Sequence, residues 1–163
     1  MSGINLKSVY KPSLAFLIGA LALVFIFLLW HFFLWRLVGF FMQPEVNLFT
    51  AGITSFIDEL IKFSFLLLAI PFFRLRVFDI PFMGAGFGLA EGVSTMINTN
   101  ANNWVILLVW MHIILAFVMA LFFRFALRGG PRKYLCYGLA LTVPSILHFS
   151  YYFVLLHLIL GQI

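Results

Sequence analysis

The apolar residues of this chain form long continuous runs, separated by short polar segments. Five runs predict five membrane-spanning helices at about residues 14–33, 50–72, 80–97, 104–123 and 134–160. A membrane β-barrel would instead show short segments of alternating apolar and polar residues. The pattern therefore predicts an all-α, polytopic membrane protein with one domain. Residues 1–49 would form an anchor helix and loop, and residues 50–160 a four-helix core.

The composition agrees with this fold class. The 163 residues are 64% hydrophobic and 9% charged, and the mean hydropathy is +1.14. A soluble domain of this size could not bury that much apolar surface. The first apolar run is too long for a signal peptide and is followed by no small-residue cleavage site, so we expect a retained helix.

The basic residues predict the orientation of the helices. If the N-terminus is cytoplasmic, eight of the ten basic residues lie in the cytoplasm and the C-terminus lies outside. These residues are scattered in loops beside helices, which argues against nucleic acid as a partner despite the net charge of +5. The eight are Lys7, Lys11, Arg74, Arg76, Arg124, Arg128, Arg132 and Lys133.

The segment FIDELIKF, residues 56–63, places three charged residues inside the second predicted span. Asp58 and Lys62 are four residues apart and Glu59 and Lys62 are three apart, so all three lie along one stripe of a helix. Two adjacent carboxylates could not both ionise in a low-dielectric environment without a counterion. We expect Lys62 to neutralise one carboxylate and to hold the other in place.

Four predicted spans carry ionisable residues at a similar depth. At 1.5 Å per residue, Glu59 lies roughly 13 Å below the outer edge, Glu91 about 10 Å, His112 roughly 13 Å and His148 about 8 Å. The uncertainty in the span boundaries is about 5 Å, so the four depths agree. Ionisable groups inside a membrane are costly and usually face each other or a cavity. We therefore expect these four side chains to meet.

Neighbouring residues fit a site at this depth. Phe87 precedes Glu91 by four residues, which predicts an aromatic ring over the carboxyl group. The glycines of GAGFGLAEG, residues 84–92, would let this helix approach its neighbours closely. Pro144 lies four residues before His148 and predicts a kink beside the site.

These residues resemble the motifs of a known family. DELIK at 58–62 resembles the EExxK motif of PrsW-type membrane proteases, and FGLAE at 87–91 resembles their FxxxE motif. His112 and His148 fall on the two helices where that superfamily carries its later histidines. The superfamily also contains the CAAX prenyl endopeptidases, the bacterial Abi proteins and a scaffold subunit of gamma-secretase. Asp58 differs, because the family usually has Glu at that position.

The resemblance implies a glutamate-type intramembrane endopeptidase, with a prokaryotic cell membrane as the expected location. The substrate would be a membrane-associated polypeptide, cut by an activated water without a metal or other cofactor. Either Asp58 or Glu59 would act as general base, and Glu91 would share or position the proton. The two histidines would polarise the scissile carbonyl or donate to the oxyanion. Lys62 and Phe87 would orient the acidic groups.

Three alternatives remain open from the sequence. Two carboxylates and two imidazoles are also a plausible zinc set, although Lys62 beside them would oppose a cation and no HExxH motif is present. The same residues could form a proton relay in a transporter or a non-catalytic membrane scaffold. The pair Asp58 and Lys62, taken alone, could be an interhelical staple.

Overall fold

Each of the predicted apolar runs forms a helix in the computed structural model, which describes residues 6–29, 48–99 and 104–158. Within these ranges there is no β-strand, so the predicted all-α class is confirmed for the described part of the chain. The helices are α1 (Leu6–Leu29), α2 (Leu48–Phe73), α3 (Ile80–Thr99), α4 (Trp104–Leu127) and α5 (Lys133–Leu158). A short 3-10 turn, Val77–Asp79, precedes α3.

The predicted boundaries agree with α2 to α5 within a few residues. Helix α1 begins at Leu6 rather than at residue 14, because the helix continues through polar residues that the apolar run does not include. Pro12 lies in its second turn. The predicted loop that follows α1 falls on residues 30–47, outside the described residues.

The helices surround a common interior. Each helix packs on the next in the order α1, α3, α4, α5 and α2. Helix α2 closes the ring by packing on α1. All five helices contribute to one apolar core, which includes Ala15, Leu66, Met83, Met119 and Ala140. Helices α2 and α3 are consecutive in the chain but do not pack extensively on each other. A side-chain contact joins them across the interior, where the ammonium group of Lys62 on α2 lies over the ring of Phe87 on α3.

The glycines of α3 allow two close helix contacts, as the sequence predicted. Gly88 faces α4, where an added Cβ would lie 2.8 Å from Val109 Cα and 3.1 Å from His112 Cβ. Gly92 meets α4 in the same way one turn later. Gly86 faces the backbone of α1 instead. The backbone of α3 thus lies directly against both α1 and α4. This contact determines the directions in which the other side chains of α3 point.

Several of the basic residues lie together at one end of the bundle. Lys11 Nζ donates a hydrogen bond of 2.8 Å to the carbonyl oxygen of Arg74. The guanidinium of Arg124 lies over the ring of Phe78, 6.0 Å from its centroid. The start of α1, the loop between α2 and α3, and the end of α4 therefore share one end, as the charge pattern requires.

The loop between α2 and α3 is closed by an ion pair. Asp79 is buried and accepts hydrogen bonds from the backbone nitrogen, Nε and Nη2 of Arg76, at 2.8, 3.2 and 3.0 Å. These hydrogen bonds to Asp79 raise the pKa of the exposed Arg76 guanidinium above its ordinary value. The pair fixes the backbone that leads into α3.

Two of the described helices contain segments long and apolar enough to cross a membrane, Tyr10–Leu29 in α1 and Val105–Leu127 in α4. Helices of this length and composition also form the cores of soluble proteins. The five predicted spans and their orientation therefore stay predictions.

Candidate functional site

Six polar side chains from four helices form one hydrogen-bonded chain inside the bundle. Five hydrogen bonds join them in the order Tyr152, Glu91, His112, Lys62, Glu59 and His148. We call these six residues the polar cluster. Four members are buried, whereas the Glu91 side chain is 15% exposed and is one point where the cluster approaches the surface. Glu59, Glu91, His112 and His148 therefore do meet, as their depths along the sequence predicted.

Lys62 lies in the middle of the polar cluster. Its ammonium group donates to Glu59 Oε1 at 2.5 Å and to His112 Nδ1 at 2.9 Å. It also lies over the ring of Phe87, 3.9 Å from the centroid. The carboxylate that Lys62 neutralises directly is thus that of Glu59, one of the two partners the sequence allowed. The Phe87 ring supports this ammonium group, and not the Glu91 carboxyl group as predicted.

The hydrogen bonds of His112 define its tautomer. An ammonium group can only donate, so Nδ1 of His112 accepts from Lys62. The other ring nitrogen, Nε2, then carries the hydrogen and donates it to Oε2 of the Glu91 carboxylate. The ring also contacts Phe87 edge to face, with centroids 4.7 Å apart. Gly88 lies close to the Cβ of His112, so the position of the imidazole is fixed by backbone packing as well.

Glu59 and His148 form the most buried part of the polar cluster. Nδ1 of His148 donates to Glu59 Oε1 at 2.9 Å, and both side chains are inaccessible to solvent. In the neutral tautomer that has its hydrogen on Nδ1, Nε2 is an acceptor. Neither this Nε2 nor Glu59 Oε2 has a hydrogen-bond partner within the described part of the chain. Two buried polar atoms on bonded side chains thus lack a partner in this part of the chain.

Tyr152 belongs to the polar cluster although the sequence analysis did not identify it. Its hydroxyl donates to Glu91 Oε1 at 2.9 Å. Its ring stacks on that of His148, with centroids 5.0 Å apart and an interplanar angle of 18°. The signal in the sequence was its spacing, because residue 152 follows residue 148 by four and shares its helix face.

Asp58 lies at the edge of the polar cluster. It is half-buried, and the five hydrogen bonds of the cluster do not include it. The charges of Lys62, Glu91 and Glu59 are nevertheless close enough to act on its carboxyl group. Asp58 therefore lies beside the site without sharing its hydrogen bonds.

Pro144 is part of α5, which runs as one helix from Lys133 to Leu158. The proline ring is buried one turn before His148. Ser145 Oγ donates to the carbonyl oxygen of Leu141 at 2.8 Å, the kind of bond that often bends a helix. The kink that the sequence predicts beside His148 stays a prediction.

The donor set does not have the arrangement of a metal centre. Among the described residues, no three His, Cys, Asp or Glu side chains are grouped as metal ligands would be. The Lys62 ammonium group stands between Glu59 and His112, where it would repel a bound cation.

Comparison with family models, with curated proteins and with solved structures gave no match. The relationship to PrsW-type proteases therefore stays a resemblance carried by the motif residues.

Proposed function

We propose that this chain is a glutamate-type intramembrane endopeptidase, similar to the PrsW-type and CAAX-protease superfamily, that hydrolyses a membrane-associated polypeptide. The observation that carries the proposal is the pair of buried acceptors on Glu59 and His148. A purely structural network would be expected to pair all of its buried polar atoms, because each unpaired one costs about 1–3 kcal/mol. A general base, in contrast, needs a free acceptor towards the water that it activates.

The bilayer is the environment that best fits the surface of the protein. Large apolar side chains are exposed on several helices, including Leu68 at 71%, Phe72 at 81% and Ile106 at 70%. Soluble proteins rarely expose contiguous apolar surface on this scale. With the basic end in the cytoplasm, the polar cluster would lie towards the outer face of the membrane.

Glu59 is the better candidate for the general base than Asp58. Its Oε1 is held by Lys62 and His148, which leaves Oε2 as the oxygen without a partner among the described residues. A water molecule at Oε2 would lose its proton to Glu59 while its oxygen attacks the scissile carbonyl carbon. The carbon–nitrogen bond then breaks, and the same proton passes to the leaving amine. The products are a carboxylic acid and an amine.

The positive charge and the imidazoles of the site would stabilise the transition state. A tetrahedral intermediate places negative charge on the former carbonyl oxygen. The His112 Nε2 hydrogen, now held by Glu91, is a donor that a substrate oxygen could take over, and the Lys62 charge lies on the opposite side of that ring. His148 Nε2 can accept a second proton during turnover. Each group thus has a role that needs no metal.

The zinc alternative is less favourable than carboxylate-activated water. A zinc ion would need ligand atoms that converge on one point, and Lys62 binds two of the four candidate ligands directly. In a non-catalytic scaffold, the two unpaired buried acceptors on Glu59 and His148 would have no function.

The direct test is proteolysis by purified protein in lipid vesicles, with a mass-encoded library of single-span peptides as substrate. We expect the wild type to generate new peptide termini and Glu59→Gln to generate none, because an amide oxygen is not a useful base. Ser64→Ala is the matched control on the same helix, since Ser64 is exposed and its hydroxyl donates to the carbonyl oxygen of Leu60. Identical termini from wild type and Glu59→Gln would refute the proposal.

A further inference from the structure

Tyr152 connects the two carboxylate–imidazole pairs of the polar cluster. Its hydroxyl bonds to Glu91 on α3, and its ring stacks on His148 within α5. Helices α3 and α5 are not direct neighbours in the bundle. The contact therefore crosses the interior and is made by side chains that are not brought together by helix packing.

The hydroxyl of Tyr152 determines how the Glu91 carboxylate is turned. The terminal torsion of a glutamate is broad and soft, so a carboxylate held at one oxygen can rotate about it. Glu91 is held at both: Oε1 by Tyr152 and Oε2 by His112. With Oε1 fixed, Oε2 stays directed at the Nε2 hydrogen of His112. Removing the hydroxyl would free the carboxylate and leave the imidazole with a mobile partner.

We propose that Tyr152 is a positioning residue of the polar cluster, which orients Glu91 and through it the donor hydrogen of His112. The inference rests on the proposed peptidase function, in which the substrate oxygen takes over the hydrogen bond that His112 Nε2 donates to Glu91. Tyr152 acts through its neighbours in this scheme and does not itself touch the substrate. Its contribution belongs to the chemical step, so it changes kcat and leaves KM unchanged.

The chain offers a matched pair of variants for the test. Tyr152→Phe removes the hydroxyl and keeps the ring that stacks on His148. Tyr151→Phe removes the adjacent hydroxyl, which has no hydrogen-bond partner within the described residues. With a cleaved peptide from the vesicle library, we expect Tyr152→Phe to lower kcat by about 10- to 100-fold, the range for a hydrogen bond to a charged group, at unchanged KM. Tyr151→Phe should keep wild-type kcat. Equal kcat for Tyr152→Phe and wild type would overturn the proposal.

A second readout does not depend on activity. Nitrogen-15 resonances of the histidine rings report which nitrogen carries the hydrogen and how strongly it is bonded. We expect Tyr152→Phe to shift the His112 Nε2 resonance and Tyr151→Phe to leave it in place. An unchanged His112 spectrum in Tyr152→Phe overturns the positioning role even if the enzyme is active. If the wild type cleaves nothing, the proposed function fails, and the same spectra still decide the role of Tyr152.

Discussion

Nζ of Lys62 lies 2.9 Å from Nδ1 of His112, a residue fifty positions further along the chain. Because the ammonium group can only donate, this contact keeps the hydrogen of the imidazole on Nε2, the nitrogen that faces Glu91. A charge on α2 thus decides the protonation pattern of a side chain on α4. The contact also gives the lysine of FIDELIKF a second role, because Lys62 both neutralises Glu59 and fixes the tautomer of His112.

Asp58→Asn tests which acidic residue of this segment is the base. Asp58 lies outside the hydrogen bonds of the polar cluster, so we expect its amide variant, which keeps the shape of the side chain, to retain proteolysis within about 10-fold, or about 1.4 kcal/mol in the barrier. Glu59→Gln should abolish it. Asp58→Glu should be tolerated, since it restores the usual residue of the resembling family. Initial cleavage rates of the three purified variants make the comparison. Loss of activity in Asp58→Asn with an active Glu59→Gln would assign the base to Asp58.

A double-mutant cycle separates the structural from the catalytic role of Glu59 and Lys62. Lys62→Met leaves a buried carboxylate without its counterion, which costs about 3–5 kcal/mol in the free energy of unfolding. Adding Glu59→Gln removes that charge, so we expect the double variant to be more stable than Lys62→Met. It should remain inactive. Unfolding of all four proteins in detergent gives the coupling free energy, for which we expect about 0.5–3 kcal/mol. Strictly additive effects would show that the ion pair does not stabilise the fold.

Gly88→Ala tests whether the contact between α3 and α4 positions His112. The added methyl group would lie 2.8 Å from Val109 Cα and 3.1 Å from His112 Cβ, so the helices must separate. We expect a loss of about 1–3 kcal/mol in unfolding free energy, together with reduced activity. Gly138→Ala is the control, because nothing lies within 4 Å of a Cβ at that exposed helical position. It should be neutral or stabilising by up to about 1 kcal/mol. Equal melting temperatures for the two variants would contradict the close packing.

Chelation tests the metal-independent mechanism. Lys62 already supplies the positive charge beside Glu59 and His112, so we expect EDTA and phenanthroline to leave both cleavage rate and melting temperature unchanged. Metal analysis of the purified protein accompanies the assay. Stoichiometric zinc that is lost together with activity would favour the metalloprotease alternative.

Reporter fusions test the predicted orientation. A reporter placed in the loop at Gly129 should be cytoplasmic, because this loop joins the basic end of the bundle. A reporter fused after Ile163 should lie outside. The inverted result would move the polar cluster towards the cytoplasmic face and change the side on which substrates are cut.

The level of each polar residue in the bundle could be predicted from the sequence. A helix rises by about 1.5 Å per residue whatever its side chains, so counting from the ends of an apolar run gives the depth of Glu59, Glu91, His112 and His148. The close helix contacts at the α3 glycines could be predicted as well, because a side chain that is only a hydrogen atom lets packed helices approach closely.

The direction of each side chain around its helix could not be predicted in the same way. Asp58 and Glu59 are adjacent, so their side chains point about 100° apart around the helix axis. Because the rest of α2 is apolar on all sides, its sequence does not show which of the two faces the interior. The ring of Phe87 contacts Lys62 because α2 and α3 face each other across the interior, which is a property of the bundle and not of α3. Tyr152 was missed because its spacing from His148 indicates a shared helix face but does not show that its hydroxyl bonds to Glu91.

The hydrogen bonds of Glu59 have a consequence for how the chain is assembled during synthesis. Lys62 is made three residues after Glu59, but His148 follows eighty-nine residues later. Until α5 has emerged and docked, the Glu59 carboxylate on α2 has only one of its two donors, and Glu91 on α3 lacks the Tyr152 hydroxyl. A chain that ends before α5 would keep the ion pair of Glu59 with Lys62 but would lack His148 and Tyr152. The polar cluster is thus complete only when the last helix is in place, so a partly synthesised chain has no assembled site.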